Sequence, residues 1–218
     1  MPPSDGSRAI VCYVTDRRTL GGVNEEAACA ALQNKILAAE RARVDWVQIR
    51  EKDLEGRALI HLVRAAVEGA PRCRILVNDR LDVAIAVRAA GVHLGGDSLR
   101  VAEVVPWCRA GHAPADFLVG RSCHAMEEAL AAEKEGANYI FFGPVFATPS
   151  KAAYGAPQGI EKLAKVCRGV RVPVLAIGGI TTENAGECLD AGAAGIAAIR
   201  LFQEAADIGA VISRLRAS

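Results

Sequence analysis

Short β-like apolar runs alternate with longer, Ala-rich helical stretches from one end of this chain to the other, and that alternation narrows the fold more than any other feature. Strand candidates cover 9–15, 44–50, 73–78, 91–94, 117–122, 138–143, 172–178 and 195–199. Helical patterns lie near 24–42, 55–68, 80–89, 99–110, 125–136, 158–169, 181–191 and 203–216. Helix starts are signalled by Asn24 before Glu25-Glu26, by Thr182 before Glu183-Asn184, and by the acidic first turn Met126-Glu127-Glu128. Gly91, Gly136, Gly192 and Gly195 mark helix exits or strand starts. The strand runs are continuously apolar rather than alternating, as when both faces of a sheet are covered. Strand–helix alternation implies parallel pairing through right-handed crossovers. Eight units in 218 residues average about 27 residues each, which suits a compact α/β fold of the (β/α)8 TIM barrel type. The alternative is a doubly wound open sheet, but its G-x-G-x-x-G after the first strand is replaced here by Thr15-Asp16-Arg17-Arg18. No Pro/Gly/Ser-rich linker divides the chain, so residues 1–218 are expected to form one barrel domain with a short flexible N-terminus at 1–8.

Composition narrows the partners. Lys and Arg number 26 against 25 Asp and Glu, which removes any electrostatic reason to expect nucleic acid or an anionic membrane surface. No stretch approaches the roughly 18 apolar residues of a membrane helix, and MPPSDGSR lacks the apolar core of a secretory signal. The seven cysteines, at 12, 29, 73, 108, 123, 167 and 188, are odd in number and form no C-x-x-C pair, which argues against a disulfide framework or structural zinc. A reduced cytoplasm is the expected compartment, and homo-oligomerisation is left open.

In a parallel barrel the chemistry sits where strands end and βα loops begin. Strand 2 delivers Gln48-Ile49-Arg50-Glu51-Lys52-Asp53, whose alternation sends Gln48, Arg50 and Lys52 to one side. Two cations and an amide leaving a barrel mouth together suit anionic oxygens, although a solvated loop run is the plainer alternative. Strand 3 ends in Asn78-Asp79, which either caps the next helix or places a carboxylate where a metal or amine would bind. His93 sits in an apolar run and reads equally as a packed barrel histidine or a ligand, and His124 is similarly ambiguous. Ser122 closes strand 5, Thr148 and Ser150 with Lys151 follow strand 6, Gly178-Gly179 follows strand 7, and Ile199-Arg200 ends strand 8. A glycine pair there admits a phosphate to backbone N–H groups, and barrels often place phosphate between loops 7 and 8. The mouth as a whole suits more than one phosphate group, one held by backbone and one by Arg and Lys with Mg²⁺.

The segments V-Q-I-R-E-K-D (47–53), V-N-D-R-L-D-V-A (77–84), G-V-H-L-G (91–95), F-G-P-V-F-x-T-P-S-K (142–151) and A-I-G-G-I-T-x-E-N (176–184) together resemble the thiamine phosphate synthase family. The likeness runs in order from about residue 9 to 202 and extends to the related thiazole tautomerases. The resemblance implies a (β/α)8 barrel that joins a hydroxymethylpyrimidine diphosphate to a thiazole phosphate and releases pyrophosphate with Mg²⁺. It further implies that the pyrimidine–oxygen bond ionises first, so the thiazole nitrogen meets a cation.

By motif match, Gln48, Arg50, Lys52, Asn78 and Lys151 would hold the pyrimidine diphosphate, with Asp79 on Mg²⁺ and Ser122 at the pyrimidine side. Thr148 and Ser150 would position the thiazole, and Gly179 with the backbone around Ile199 would take its phosphate. The implied catalytic set is Arg50, Lys52, Ser122, His124 and Lys151, His124 being the acid/base candidate on the tautomerase side. Two positions depart from the family pattern. Where it carries G-Q-x-D, with the Asp as second metal ligand, this chain reads Gly95-Gly96-Asp97-Ser98, so Asp97 is the displaced candidate ligand. Arg200 stands where a small Ser is usual and is expected to contact the phosphate or crowd it. The readings that compete with synthase activity are a metal-independent tautomerase and a non-catalytic phosphate-binding barrel.

Overall fold

A computed structural model describes residues 8–148 and 156–217. Eight strands, β1 (Ile10–Val14), β2 (Trp46–Ile49), β3 (Arg74–Asn78), β4 (Gly91–Leu94), β5 (Leu118–Cys123), β6 (Tyr139–Phe142), β7 (Val174–Ile177) and β8 (Gly195–Ala198), pair in parallel and in sequence order. β8 returns to β1, with Val11 opposite Ile196, so the sheet closes and the open-sheet alternative is excluded. The helices between strands are α1 (Glu25–Arg41), α2 (Gly56–Gly69), α3 (Leu81–Ala86), α4 (Val101–Trp107), α5 (Met126–Lys134), α6 (Gly159–Gly169) and α7 (Ala185–Asp190). After β8 come α8 (Arg200–Gln203) and α9 (Ile208–Ala217).

The strand period of two divides the core. Cys12, Val14, Leu76, Tyr139, Phe141, Leu175 and Ala197 pack together inside the barrel. Their strand neighbours, such as Val11, Val47, Ile75, Val92, Val119, Ile140 and Ile196, pack outward with the helices. Both faces are buried, which is why the strands read as unbroken apolar runs. The same parity places Gln48, Asn78, His93 and Ser122 on the inward set near the C-terminal ends of β2, β3, β4 and β5. Gly120 on β5 is required by a close approach. A Cβ there would lie 2.0 Å from Cζ of Tyr139, whose ring occupies that space.

Several local expectations change. Asn24 caps α1 as expected, its side chain accepting from the Ala27 N–H at 2.9 Å. Thr182 does not start α7. Asn184 does, while its Oδ1 accepts from the Thr181 N–H and ties off the preceding turn. The pattern at 99–110 becomes α4 followed by a π turn at Cys108–His112, where Gly111 takes a positive φ. The helix expected at 203–216 begins only at Ile208, as α9, while Gln203 is the buried last residue of α8 and is held by the β1 loop. Its Nε2 donates to the Asp16 carbonyl at 2.5 Å and Thr19 Oγ1 at 2.9 Å, and its Oε1 accepts from the Tyr13 hydroxyl. Of the N-terminal segment expected to be flexible, residues 1–7 lie outside the described residues, whereas the Arg8 guanidinium bonds the Asp45 carboxylate. All seven cysteines are free thiols. Among the described residues no helix is long and apolar enough to cross a membrane.

Candidate active site

The run after β2 is sorted by an arginine from the preceding loop. Glu51 is buried and accepts from Thr15 Oγ1 at 2.6 Å, from the Arg17 N–H at 3.1 Å and from Arg17 Nη1 at 3.1 Å. Asp53 accepts a bidentate pair from Arg17, at 2.8 and 3.1 Å. Burial opposes charge on Arg17, but the hydrogen bonds it donates to Asp53 and Glu51 outweigh that and hold the guanidinium above the ordinary arginine range. With Glu51 and Asp53 drawn to Arg17, Arg50 (half-buried) and Lys52 (exposed), which alternate with them, have no carboxylate partner among the described residues. They are left available to an anion. The Arg50 N–H is fixed separately, by Thr15 Oγ1 at 2.9 Å.

A second line runs across β2 and β3. Gln48 Nε2 donates to Asn78 Oδ1 at 2.8 Å, and Asn78 Nδ2 donates to Asp79 Oδ2 at 2.6 Å. Because a carboxylate only accepts, Asp79 forces the direction of the whole line. Asn78 must turn its NH₂ to Asp79 and its oxygen to Gln48, and Gln48 must answer with its own NH₂. Gln48 Oε1 is therefore left facing away from the line, buried and without a partner among the described residues. Asp79 itself takes a left-handed φ of 60°, which Asp tolerates better than most residues. It does not cap α3, whose N-cap is Arg80 with no side-chain bond. Its Oδ1 instead accepts from the Gly95 N–H at 2.8 Å and from the Ser98 hydroxyl, both in the loop after β4. Asp97 stands exposed in that same turn, so the serine and not the displaced aspartate meets Asp79.

Arg121 on β5 clamps this turn from outside. Its Nη1 donates to the Gly95 carbonyl at 2.6 Å and its Nη2 to the Gly96 carbonyl at 3.4 Å. Arg121→Met removes both bonds, and hydrogen exchange at the Gly95 and Ser98 amides is expected to rise about tenfold or more, since charged-donor bonds contribute about 1.5–3 kcal/mol. Unchanged exchange there would mean the turn holds without the clamp.

His93 is a packed barrel histidine. It is 1% exposed, with its ring centroid 4.2 Å from that of Phe141, its Nδ1 3.1 Å from the Tyr139 hydroxyl and its Nε2 2.8 Å from Ser122 Oγ. Desolvation, helped by the charges of Arg121 and Arg50 and opposed by Asp79, pushes it down to about 3. The ring is neutral at physiological pH. His124 is exposed at the mouth, its backbone N–H bonded to Glu128 Oε2 at 2.6 Å and its Nδ1 bonded to the Gly143 carbonyl. A carbonyl only accepts, so Nδ1 carries a proton.

The far side of the mouth is partly described. Thr148 is half-buried at the end of the loop after β6, while Ser150 and Lys151 lie outside the described residues. Gly178 and Gly179 both take positive φ, and a Cβ on either would strike that loop, 2.6 Å from Pro144 Cα and 2.7 Å from the Ala147 carbonyl respectively. Their geometry is thus already required by packing against loop 6. Ile199 is half-buried, and Arg200 opens α8 with its side chain exposed. Sequence reasoning missed Arg17, Thr15, Glu51, Tyr139 and Gln203. Their only signal was polarity beside apolar strands, and their partners are far away in the chain.

The sequence pattern described as thiamine monophosphate synthase matches residues 13–202. The chain is 40% identical over 202 residues to a thiamine-phosphate synthase of Roseiflexus castenholzii, covering 90% of this chain and 82% of that one. It is 40% identical over 204 residues to a thiamine-phosphate synthase of Methanocella arvoryzae, covering 89% and 92%. Among solved structures, thiamine phosphate pyrophosphorylase from Pyrococcus furiosus superposes with a TM-score of 0.81 at 30% identity, covering 96% and 94% of the two chains.

Proposed function

The chain belongs to the thiamine monophosphate synthase family, and from that premise we propose how its barrel mouth divides the work of coupling a hydroxymethylpyrimidine diphosphate to a thiazole phosphate. The enzyme is a transferase of this kind, releasing pyrophosphate. The observation that carries the division is the forced direction of the Gln48–Asn78–Asp79 line, which leaves an acceptor at one end and a carboxylate at the other.

At the carboxylate end, Asp79 and the Ser98 hydroxyl form an all-oxygen donor set, which suits a hard cation. Among the described residues no group of three or more His, Cys, Asp or Glu forms a metal cage. One carboxylate completed by substrate phosphate oxygens and water is the habit of Mg²⁺. When bound, Mg²⁺ supplies charge neutralisation on the departing pyrophosphate. Asp97 adds its charge to the same turn through solvent. Arg50 and Lys52, joined by Lys151, stabilise the negative charge that builds on the leaving group as the pyrimidine–oxygen bond breaks.

At the acceptor end, Gln48 Oε1 takes a hydrogen bond from an N–H donor on the pyrimidine, which satisfies the one buried polar atom of this line that lacks a partner. Ser122 meets the same ring. The thiazole phosphate lies toward Thr148, Ser150, Gly179 and Ile199, with Arg200 as an added phosphate partner. The thiazole nitrogen attacks a cation and needs only positioning. His124 stands on the thiazole side, its Nδ1 bonded to the Gly143 carbonyl. A reduced cytoplasm is the compartment proposed for the enzyme, a reading that the seven free thiols support.

Purified protein given both substrates and Mg²⁺ is expected to form the coupled product and pyrophosphate in equal amounts, and chelating the metal is expected to stop both. Isomerisation of the thiazole without coupling would replace this reading by the tautomerase one. Binding without any turnover would leave a phosphate-binding barrel.

A further inference from the structure

Tyr139, His93 and Ser122 form a hydrogen-bonded line from the barrel interior to its mouth, carried by β6, β4 and β5. Neither distance says which group donates, because the imidazole can carry its proton on either nitrogen. Hydrogen-bond accounting decides it. Tyr139 is 1% exposed, and its hydroxyl meets only His93 Nδ1 among the described residues. If Nδ1 carried a proton, the tyrosine oxygen would have to accept, and the hydroxyl's own proton would be buried with no acceptor. A doubly protonated ring has the same fault. With Tyr139 donating to Nδ1, the imidazole proton sits on Nε2 and is donated to Ser122 Oγ, and every buried donor is used.

We infer that Tyr139 and His93 are positioning residues that make Ser122 Oγ accept from within, so that its hydroxyl proton is offered outward to a lone pair on the substrate. Ser122 is half-buried at the end of β5 and has no partner other than His93 among the described residues, so its proton is free for that use. Gly120 belongs to the same device. It sits opposite His93 on β4, and its missing side chain is what lets the Tyr139 ring in. The direction of the proton follows from the buried line alone, whereas its delivery to the pyrimidine rests on the proposed function.

The test reads the two separately. In ¹⁵N-labelled protein, imidazole nitrogen shifts of His93 are expected to show a protonated Nε2 and an unprotonated Nδ1. The Nδ1–H tautomer would overturn the inference outright. Tyr139→Phe keeps the ring and removes the donor, so Nδ1–H should become populated. The dissociation constant for the unreactive pyrimidine monophosphate should then rise about tenfold, the size of one directed hydrogen bond. Added to Ser122→Ala, the same change should cost nothing more, because the hydroxyl it directs is gone. Equal losses in both backgrounds would show that Tyr139 acts only through packing and would refute the positioning role. If wild type fails to bind the pyrimidine, the functional reading falls while the tautomer still decides the direction of the proton.

Discussion

Asp79→Asn is expected to lower the rate of coupling by about 10³-fold while leaving the barrel folded. Asn tolerates the left-handed backbone at this position almost as well as Asp, so the variant removes charge without adding much strain. It also damages the site in two ways at once. The cation loses its carboxylate, and an amide can no longer accept from Asn78, Gly95 and Ser98 together. Asn78 is then free to turn, and with it the direction of Gln48. Steady-state rates across a Mg²⁺ titration, with circular dichroism melts as the control for folding, measure the effect. Full activity at ordinary Mg²⁺ would assign the metal elsewhere.

The largest expected loss of stability comes from Arg17→Met. The Arg17 and Glu51 side chains are 5% and 1% exposed, so the substitution leaves a carboxylate buried with only Thr15 and a backbone N–H for company. Breaking one partner of such a pair costs about 3–5 kcal/mol, which for a chain of this size lowers the Tm by about 10 °C. Replacing both partners, as Arg17→Met with Glu51→Leu, should recover most of that loss, because the cost lies in the stranded charge. A single-variant loss under about 1 kcal/mol would show the pair to be loosely solvated. Part of the network is also sensitive to acid. The hydrogen bond from Arg17 holds Asp53 below the usual carboxylate range, so its contribution is full above that range and is lost as pH falls from there through the lowered value.

Fold class was legible because its signals are local. Continuous apolar runs, Asn24 ahead of Glu25-Glu26 and the acidic turn at Met126-Glu127-Glu128 depend on neighbours a few residues away, and eight strand–helix units are enough to close a barrel. The positions that crowd the mouth were legible for the same reason, since strand ends can be read from periodicity. The roles at those positions were not. Asn78-Asp79 read equally as a helix cap or a site, and only the turn after β4, brought against Asp79 by the pairing of β3 with β4, separates the two. Gly178-Gly179 read as room for phosphate, and the structure adds a second reason for glycine there, since a Cβ on either would strike loop 6. Gln203 read as the start of a helix, whereas it ends α8 and is bonded by Tyr13, 190 residues earlier.

What the sequence determined by itself was periodicity and burial: eight parallel strands covered on both faces, and polar residues at their ends. Tertiary structure decided pairing and direction. Arg17 with Glu51, Asp79 with Ser98, and Tyr139 with His93 and Ser122 are contacts between separate elements, set by strand register. Which atom donates then follows from counting partners that no stretch of sequence holds together. The physical reason is that a side chain's face is fixed by its own backbone, whereas its hydrogen bonds are fixed by whichever backbone closure places opposite it.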